Sequence, residues 1–115
     1  MRMKGLSMGF FDFLKKNKID INEAVAALKD QEGAQLIDVR EAEEYLEGRI
    51  PGSMNIPVQN IEMAAMAYRD KDIPIYVYCA SGMRSRFAAA KLRNYGFTNV
   101  TDLGGINSYN GPLET

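Results

Sequence analysis

The sequence predicts an α/β domain with a central, mainly parallel sheet of five strands and helices on both faces. From Ile19 onward, short apolar segments alternate with segments of helical periodicity, the pattern of strands joined by crossover helices. The length of 115 residues, 46% of them hydrophobic, suits one domain with its own core and is too short for two.

The domain is predicted to begin with a strand, a helix and a second strand. Residues 19–21 are predicted to be extended, and Asn22 is a good N-cap for the helix that follows, which Gly33 is predicted to end. Residues 36–39 are apolar apart from Asp38 and predict a buried strand.

The middle of the chain continues this alternation. Residues 41–46 predict a short helix, because its acidic first turn suits the positive end of a helix dipole. Residues 54–56 predict a short strand and residues 61–68 a helix. Residues 73–79 predict the best-defined strand, since they are rich in β-branched and aromatic residues.

The last helix is predicted to follow Gly82 and to end at Gly96, with Phe97 packing back on it. Residues 100–103 predict the last strand, before a terminal helical turn near Tyr109. The buried face of the helix is predicted from residues at helical spacing, Ala88, Leu92 and Tyr95.

Residues 1–17 are predicted to be an N-terminal extension to a domain of residues 18–115. The extension combines Met, Phe and Lys, which fits a short helix packed on the domain, a partly ordered tail or a membrane-surface anchor. Its apolar run is far shorter than the ~20 residues of a membrane span and lacks the length of a signal-peptide core. We therefore expect a soluble protein without a membrane span.

The composition excludes several kinds of site. Histidine is absent and Cys79 is the only cysteine, so histidine-dependent triads, zinc helices, four-cysteine zinc sites and internal disulfides are impossible. We expect no metal and no organic cofactor. A lone thiol fits a reducing compartment, so we expect a cytoplasmic location. The net charge of −1 does not suggest a nucleic-acid partner.

Cys79 is the candidate nucleophile, because it ends a predicted parallel strand at the sheet edge where ligands bind. Gly82 can adopt a positive φ, which allows the loop to turn its N–H groups toward the sulfur. These dipoles, the following helix N-terminus and Arg84 would favour the thiolate over the thiol and could hold an anion or a sulfur adduct. The alternative is that Cys79 is a small buried hydrophobic residue.

Several separated motifs resemble the rhodanese-like sulfurtransferases over roughly residues 19–112. Residues 36–40, Glu44-Tyr45 and residues 48–57 are similar to the first signature of that family. Residues 77–85 are similar to its active-site loop, and the pairs Gly104-Gly105 and Gly111-Pro112 to its C-terminal signature. The motifs are specific together, because they occur in order and at matching spacing.

The resemblance implies a sulfur relay. The Cys79 thiolate would attack the outer sulfur of a small anionic donor such as thiosulfate, and cyanide or a thiol, including a protein thiol, would remove that sulfur from the resulting persulfide. Arg84 would attract the donor, whereas Asp38 and Arg40 match a supporting pair that we interpret as an ion pair fixing loop and sheet. The persulfide would be held by the backbone of Ala80, Ser81, Gly82, Met83 and Arg84.

Departures from the family pattern leave alternatives open. Ala80 stands where many thiosulfate-using members have a basic residue, which weakens the case for thiosulfate. Arg49 replaces a frequent His and Tyr109 a frequent Trp, and we interpret both as structural. A non-catalytic, sulfur-carrier or protein-interaction module is the main alternative. A cysteine phosphatase or arsenate reductase is disfavoured, because those relatives carry five residues between Cys and Arg and this chain carries four.

Other groups have simpler interpretations. The acidic residues of segment 41–47 predict a solvated helix face rather than a cation site. Met63 and Met66, with Tyr68, are predicted to pack in a helix interface, and Tyr76 and Tyr78 on the sheet. The basic residues after the loop predict either a donor-steering patch or ordinary solvation: Arg84, Arg86, Lys91 and Arg93.

Overall fold

The sheet has four parallel strands in the order β2-β1-β3-β4. In the computed structural model, which describes residues 19–115, they are β1 (Gln35–Asp38), β2 (Met54–Asn55), β3 (Ile75–Cys79) and β4 (Val100–Gly105). The predicted α/β class with a parallel sheet is confirmed. The predicted N-terminal extension, residues 1–17, lies outside the described residues.

Four α-helices and two short 3₁₀ turns accompany the strands within residues 19–115. None of these helices is long and apolar enough to cross a membrane. Their bounds are α1 (Ile21–Leu28), α2 (Ala42–Glu47), α3 (Glu62–Ala67) and α4 (Met83–Asn94), with 3₁₀ turns at Val58–Asn60 and Ile106–Ser108.

The predicted fifth strand at residues 19–21 is wrong, because Ile21 already begins α1. Asp20, not Asn22, is the N-cap, and its carboxylate accepts the Asn22 N–H at 2.9 Å. The Asn22 side chain instead ties α1 to the C-terminal segment. It donates to the Ser108 carbonyl at 3.0 Å and accepts the Asn110 N–H at 2.7 Å.

Both faces of the sheet are buried, as expected for parallel strands. Ile75, Val77 and Cys79 of β3 point to one core, while Tyr76 and Tyr78 point to the other, because side chains alternate along a strand. The first core also contains the buried apolar residues of α4, which are Ala88, Ala89 and Leu92. The strand that ends at Cys79 is therefore held on both sides.

The end of α4 agrees with the prediction. Gly96 has φ 101°, and its N–H and that of the buried Phe97 donate to the carbonyls of Arg93 and Leu92, which is the Schellman arrangement. Tyr95, however, is 36% exposed and does not belong to the buried face, since α4 ends at Asn94 and Tyr95 is its C-cap residue.

The prediction that Met63 and Met66 pack in a helix interface is wrong. Met63 and Met66 are 54% and 82% exposed, because Ala64 forms the buried face of this short helix. Tyr68 packs against the core as expected.

Candidate active site

Cys79 is the last residue of β3 and lies at the carboxyl edge of the sheet. Cys79 is only 1% exposed, and its side chain packs in the core that contains the buried apolar residues of α4. The chain then turns at Gly82, whose φ of 112° is in the left-handed region where glycine carries no Cβ penalty. This turn places the first residues of α4 beside the sulfur.

Two backbone N–H groups point at the Cys79 sulfur. The Gly82 nitrogen lies 3.0 Å and the Ser85 nitrogen 3.3 Å from Sγ. Both belong to the start of α4, where N–H groups lack intrahelical partners and carry the positive end of the helix dipole. Dipoles arranged in this way can stabilise negative charge on an adjacent atom, and no histidine is involved.

Further donors at the loop are not engaged. Within residues 19–115, the N–H groups of Ser81, Met83 and Arg84 donate no hydrogen bond. They are available to an anion or to a group attached to Sγ. Among the five residues predicted to hold the persulfide, residues 80–84, only Gly82 directs its N–H at the sulfur itself.

Ser85 belongs to the site, although the predicted site residues end at Arg84. The residue is fully buried, and its Oγ lies 3.1 Å from the Gly82 carbonyl oxygen and 3.3 Å from that of Gly104. The hydroxyl therefore links the loop to β4. Its position as the third residue of a helix was the available signal, because the N–H there has no intrahelical acceptor.

Gly105 lies directly against the backbone of the cysteine loop. A Cβ at this position would lie 2.7 Å from the Ser81 Cα and 2.8 Å from the Ala80 carbonyl carbon. A register shift between Val77 and Tyr78 pairs Cys79 with Gly105. The glycine pair of the C-terminal signature thus allows β4 to contact the backbone of the cysteine loop directly.

Arg84 is paired with Glu44 of α2. Its NH1 and NH2 nitrogens donate to the two Glu44 carboxylate oxygens at 2.8 and 3.1 Å, and both side chains are about one-third exposed. The hydrogen bonds from Arg84 are the main cause that lowers the pKa of Glu44 from 4.5 to about 2. Expecting Glu44 to lie on a simple solvated face was wrong.

Asp38 and Arg40 form a buried ion pair, as interpreted from the sequence. Arg40 Nε and NH2 donate to the Asp38 carboxylate at 2.7–3.0 Å, and NH2 also donates to the Gly48 carbonyl at 2.7 Å. Arg40 precedes α2 and Gly48 is its C-cap residue. The pair therefore fixes α2, and with it the position of Glu44.

Tyr78 contacts the segment that follows α2. Its hydroxyl oxygen accepts the Ile50 N–H at 3.1 Å and lies 3.1 Å from the Ser53 Oγ. Burial raises the pKa of this phenol, so it stays neutral and holds the segment after α2. The prediction that Tyr76 and Tyr78 lie on the sheet is confirmed.

The other charged groups form no second site within residues 19–115. No group of three potential metal ligands occurs there. On α4, Arg86 and Lys91 take part in no ion pair with the described residues, while Arg93 donates to the Val100 carbonyl at 3.0 Å. A steering role for this face stays a prediction.

The comparisons identify relatives of the whole domain. The family model described as "Rhodanese-like domain" matches residues 21–111. A sulfurtransferase of Allochromatium vinosum is 36% identical over 91 residues, which are 78% of this chain and 84% of that protein. YrkF of Bacillus subtilis, whose name proposes a sulfur carrier, is 34% identical over 100 residues, or 86% of this chain.

Solved structures agree with the sequence relatives. A "rhodanese with anions from E. coli" superposes with a TM-score of 0.67 and 34% identity over 71% of this chain and 98% of that chain. The chain spans only part of some relatives. It covers 49% of YrkF and 64% of YqhL, another Bacillus subtilis protein, to which it is 40% identical over 82 residues, or 70% of this chain.

Proposed function

Because the chain belongs to the rhodanese-like family, we propose that it is a sulfurtransferase in which Cys79 carries sulfur as a persulfide between a donor and an acceptor. The observation that carries the proposal is the pair of N–H groups, from Gly82 and Ser85, at 3.0 and 3.3 Å from Sγ. They favour the thiolate, which is the nucleophilic form of cysteine.

The reaction has two displacement steps. The Cys79 thiolate attacks the outer sulfur of the donor, and the S–S bond of the donor breaks with its electron pair leaving on the departing group. A persulfide on Cys79 results. An acceptor thiolate or cyanide then attacks the outer sulfur, and the Cys79 thiolate is regenerated. No redox cofactor is needed, because sulfur moves as a neutral atom between nucleophiles.

The loop suits the persulfide as well as the thiolate. Cys79 itself is buried, so the reacting outer sulfur is the part that an acceptor must reach. The N–H groups of Ser81, Met83 and Arg84 have no acceptor within residues 19–115 and are available to this second sulfur. Fixed dipoles of this kind stabilise developing charge without reorganising.

A sulfur-carrier or protein-interaction module is the second candidate. Arg84 is engaged by Glu44 and Ala80 is neutral, so no unpaired side-chain cation among residues 79–84 would attract a small anion. The resemblance to YrkF supports the same alternative. Such a module would accept sulfur and release it only to a partner protein. Either function needs a reduced thiol, and we include a cytoplasmic location in the proposal for that reason.

The test is sulfur loading of Cys79 followed by transfer. The protein is incubated with thiosulfate, its intact mass is measured, and cyanide is then added while thiocyanate is followed. A gain of one sulfur with turnover, both absent from Cys79→Ser, is the expected result. Loading without turnover would favour the carrier module. Hydrolysis of a phosphate ester without sulfur uptake would contradict both.

A further inference from the structure

The charge around the cysteine loop is not what an attractor of small anions requires. Arg84 donates both terminal nitrogens to the Glu44 carboxylate, so its charge is already balanced. The raised pKa of Arg84 has this contact as its first cause, and the nearby Cys79 also contributes. The paired carboxylate therefore lies within electrostatic range of the sulfur chemistry.

Glu44 is held in this position by its own helix. Its Oε1 also accepts the Glu41 N–H at 2.8 Å, which forms the capping box of α2. The buried contacts of Arg40 with Asp38 and the Gly48 carbonyl fix both ends of that helix. With a pKa of about 2, the carboxylate stays charged at neutral pH. An incoming donor therefore meets a neutral Arg84–Glu44 pair and not a free guanidinium.

No other side chain of the loop supplies a positive charge in place of Arg84. Ala80, Ser81 and Met83 are neutral, and Arg86 leaves a different side of α4 from Arg84, because residues two apart do not share a helix face. Attraction of an anion therefore depends on backbone N–H dipoles. These act on one atom at short range, whereas a second charge on the donor gains no ion pair, because Glu44 already occupies the Arg84 guanidinium.

We propose that Glu44, by pairing with Arg84, determines which sulfur donor the site prefers. The site takes the persulfide of an uncharged thiol in preference to a doubly charged donor such as thiosulfate. This inference rests on the proposed function. In the step itself, the Cys79 thiolate and a persulfide RSS⁻ give the Cys79 persulfide and the thiolate RS⁻. Sulfur and charge balance, and the leaving group carries a single charge.

The experiment compares two donors in three proteins. The donors are thiosulfate and the persulfide of 2-mercaptoethanol, and the rate of sulfur loading on Cys79 is measured by intact mass. The proteins are the wild type, Glu44→Gln and Glu43→Gln. Gln at position 44 keeps the length and an acceptor oxygen. Glu43 is an exposed residue of the same helix, and its substitution removes the same net charge elsewhere.

The expected result is a change of donor preference in Glu44→Gln alone. The substitution leaves the Arg84 charge without its partner, and one unit of donor charge about 10 Å from it, at an effective dielectric constant of about 20, gains an energy that corresponds to roughly tenfold in rate. We expect the ratio of loading from thiosulfate to loading from the persulfide to rise about tenfold, because thiosulfate carries one more negative charge than the persulfide. The ratio of the two rates within one protein does not depend on its folded fraction.

Three outcomes would overturn the inference. These are a wild type that loads faster from thiosulfate than from the persulfide, an unchanged donor ratio in Glu44→Gln, and an equal change of that ratio in Glu43→Gln. Absence of sulfur on Cys79 from both donors in all three proteins would instead overturn the proposed function, and the inference with it. The two failures are thus distinguishable.

Discussion

Replacing Gly105 by Ala should displace the cysteine loop without altering any group that takes part in the chemistry. The added Cβ would lie 2.7 Å from the Ser81 Cα and 2.8 Å from the Ala80 carbonyl carbon. Both are backbone atoms and cannot rotate away. The Ala80 carbonyl oxygen would lie closer still. To reach a van der Waals separation of about 3.5 Å, the loop must move by roughly 1 Å.

A shift of this size affects stability and the sulfur environment together. The contacts of Sγ with the Gly82 and Ser85 nitrogens, at 3.0 and 3.3 Å, and the 3.2 Å bond from the Asn107 N–H to the Ala80 carbonyl would lengthen toward the limit of hydrogen bonding. We expect a loss of about 2–3 kcal/mol of unfolding free energy from overpacking. The gain from the less flexible unfolded chain, about 0.4–1 kcal/mol, is smaller.

The assay combines urea unfolding, followed by circular dichroism, with the rate of sulfur loading. Gly48→Ala is the matched control, because its Cβ would meet only the exposed side chain of Leu113, at 3.3 Å, and its φ of 165° suits any residue. We expect Gly48→Ala to load at nearly the wild-type rate and Gly105→Ala to load more than about tenfold more slowly. If Gly105→Ala matched the wild type in both measurements, β4 could not be supporting the loop as described.

Three further predictions concern the groups that hold the site. Ser85→Ala should lower the unfolding free energy by about 1–2 kcal/mol, because the Gly82 and Gly104 carbonyls lose their buried donor. Urea unfolding measures this loss. The control, Ser81→Ala at an exposed position, should stay within about 0.5 kcal/mol of the wild type. Asp38→Asn should cost about 3–5 kcal/mol in the same assay, because the buried Arg40 loses its charged partner; a stability near that of the wild type would contradict the structural role of the pair. Glu44 has a pKa of about 2 in the folded protein, below its ordinary 4.5, so its contribution is present above pH 4.5 and is lost as the pH falls toward 2; the stability difference between the wild type and Glu44→Gln should therefore shrink across this window, and a constant difference would argue against the ion pair.

The parts of the fold that the sequence predicted well depend on local patterns. The strand that ends at Cys79, the positive φ of Gly82 and the cap at Gly96 all follow from periodicity or from the conformational freedom of glycine. The first strand was wrong for a local reason as well. Asp20 and Asn22 are both good N-cap residues, and only the docking of α1 decides between them.

The charge of the site could not be predicted in this way. The acidic first turn of α2 is fully explained by the helix dipole, so nothing in that segment indicates that one of its carboxylates pairs with Arg84, 40 residues away. The pairing depends on the orientation of α2, which the buried contacts of Arg40 fix. Local sequence therefore predicts the candidate nucleophile and the N–H groups near its sulfur. The Arg84–Glu44 ion pair, on which the proposed preference for a sulfur donor rests, is a property of the tertiary structure. A relative with the same loop but an uncharged residue at the position of Glu44 should differ in donor preference, although its loop motif would be identical.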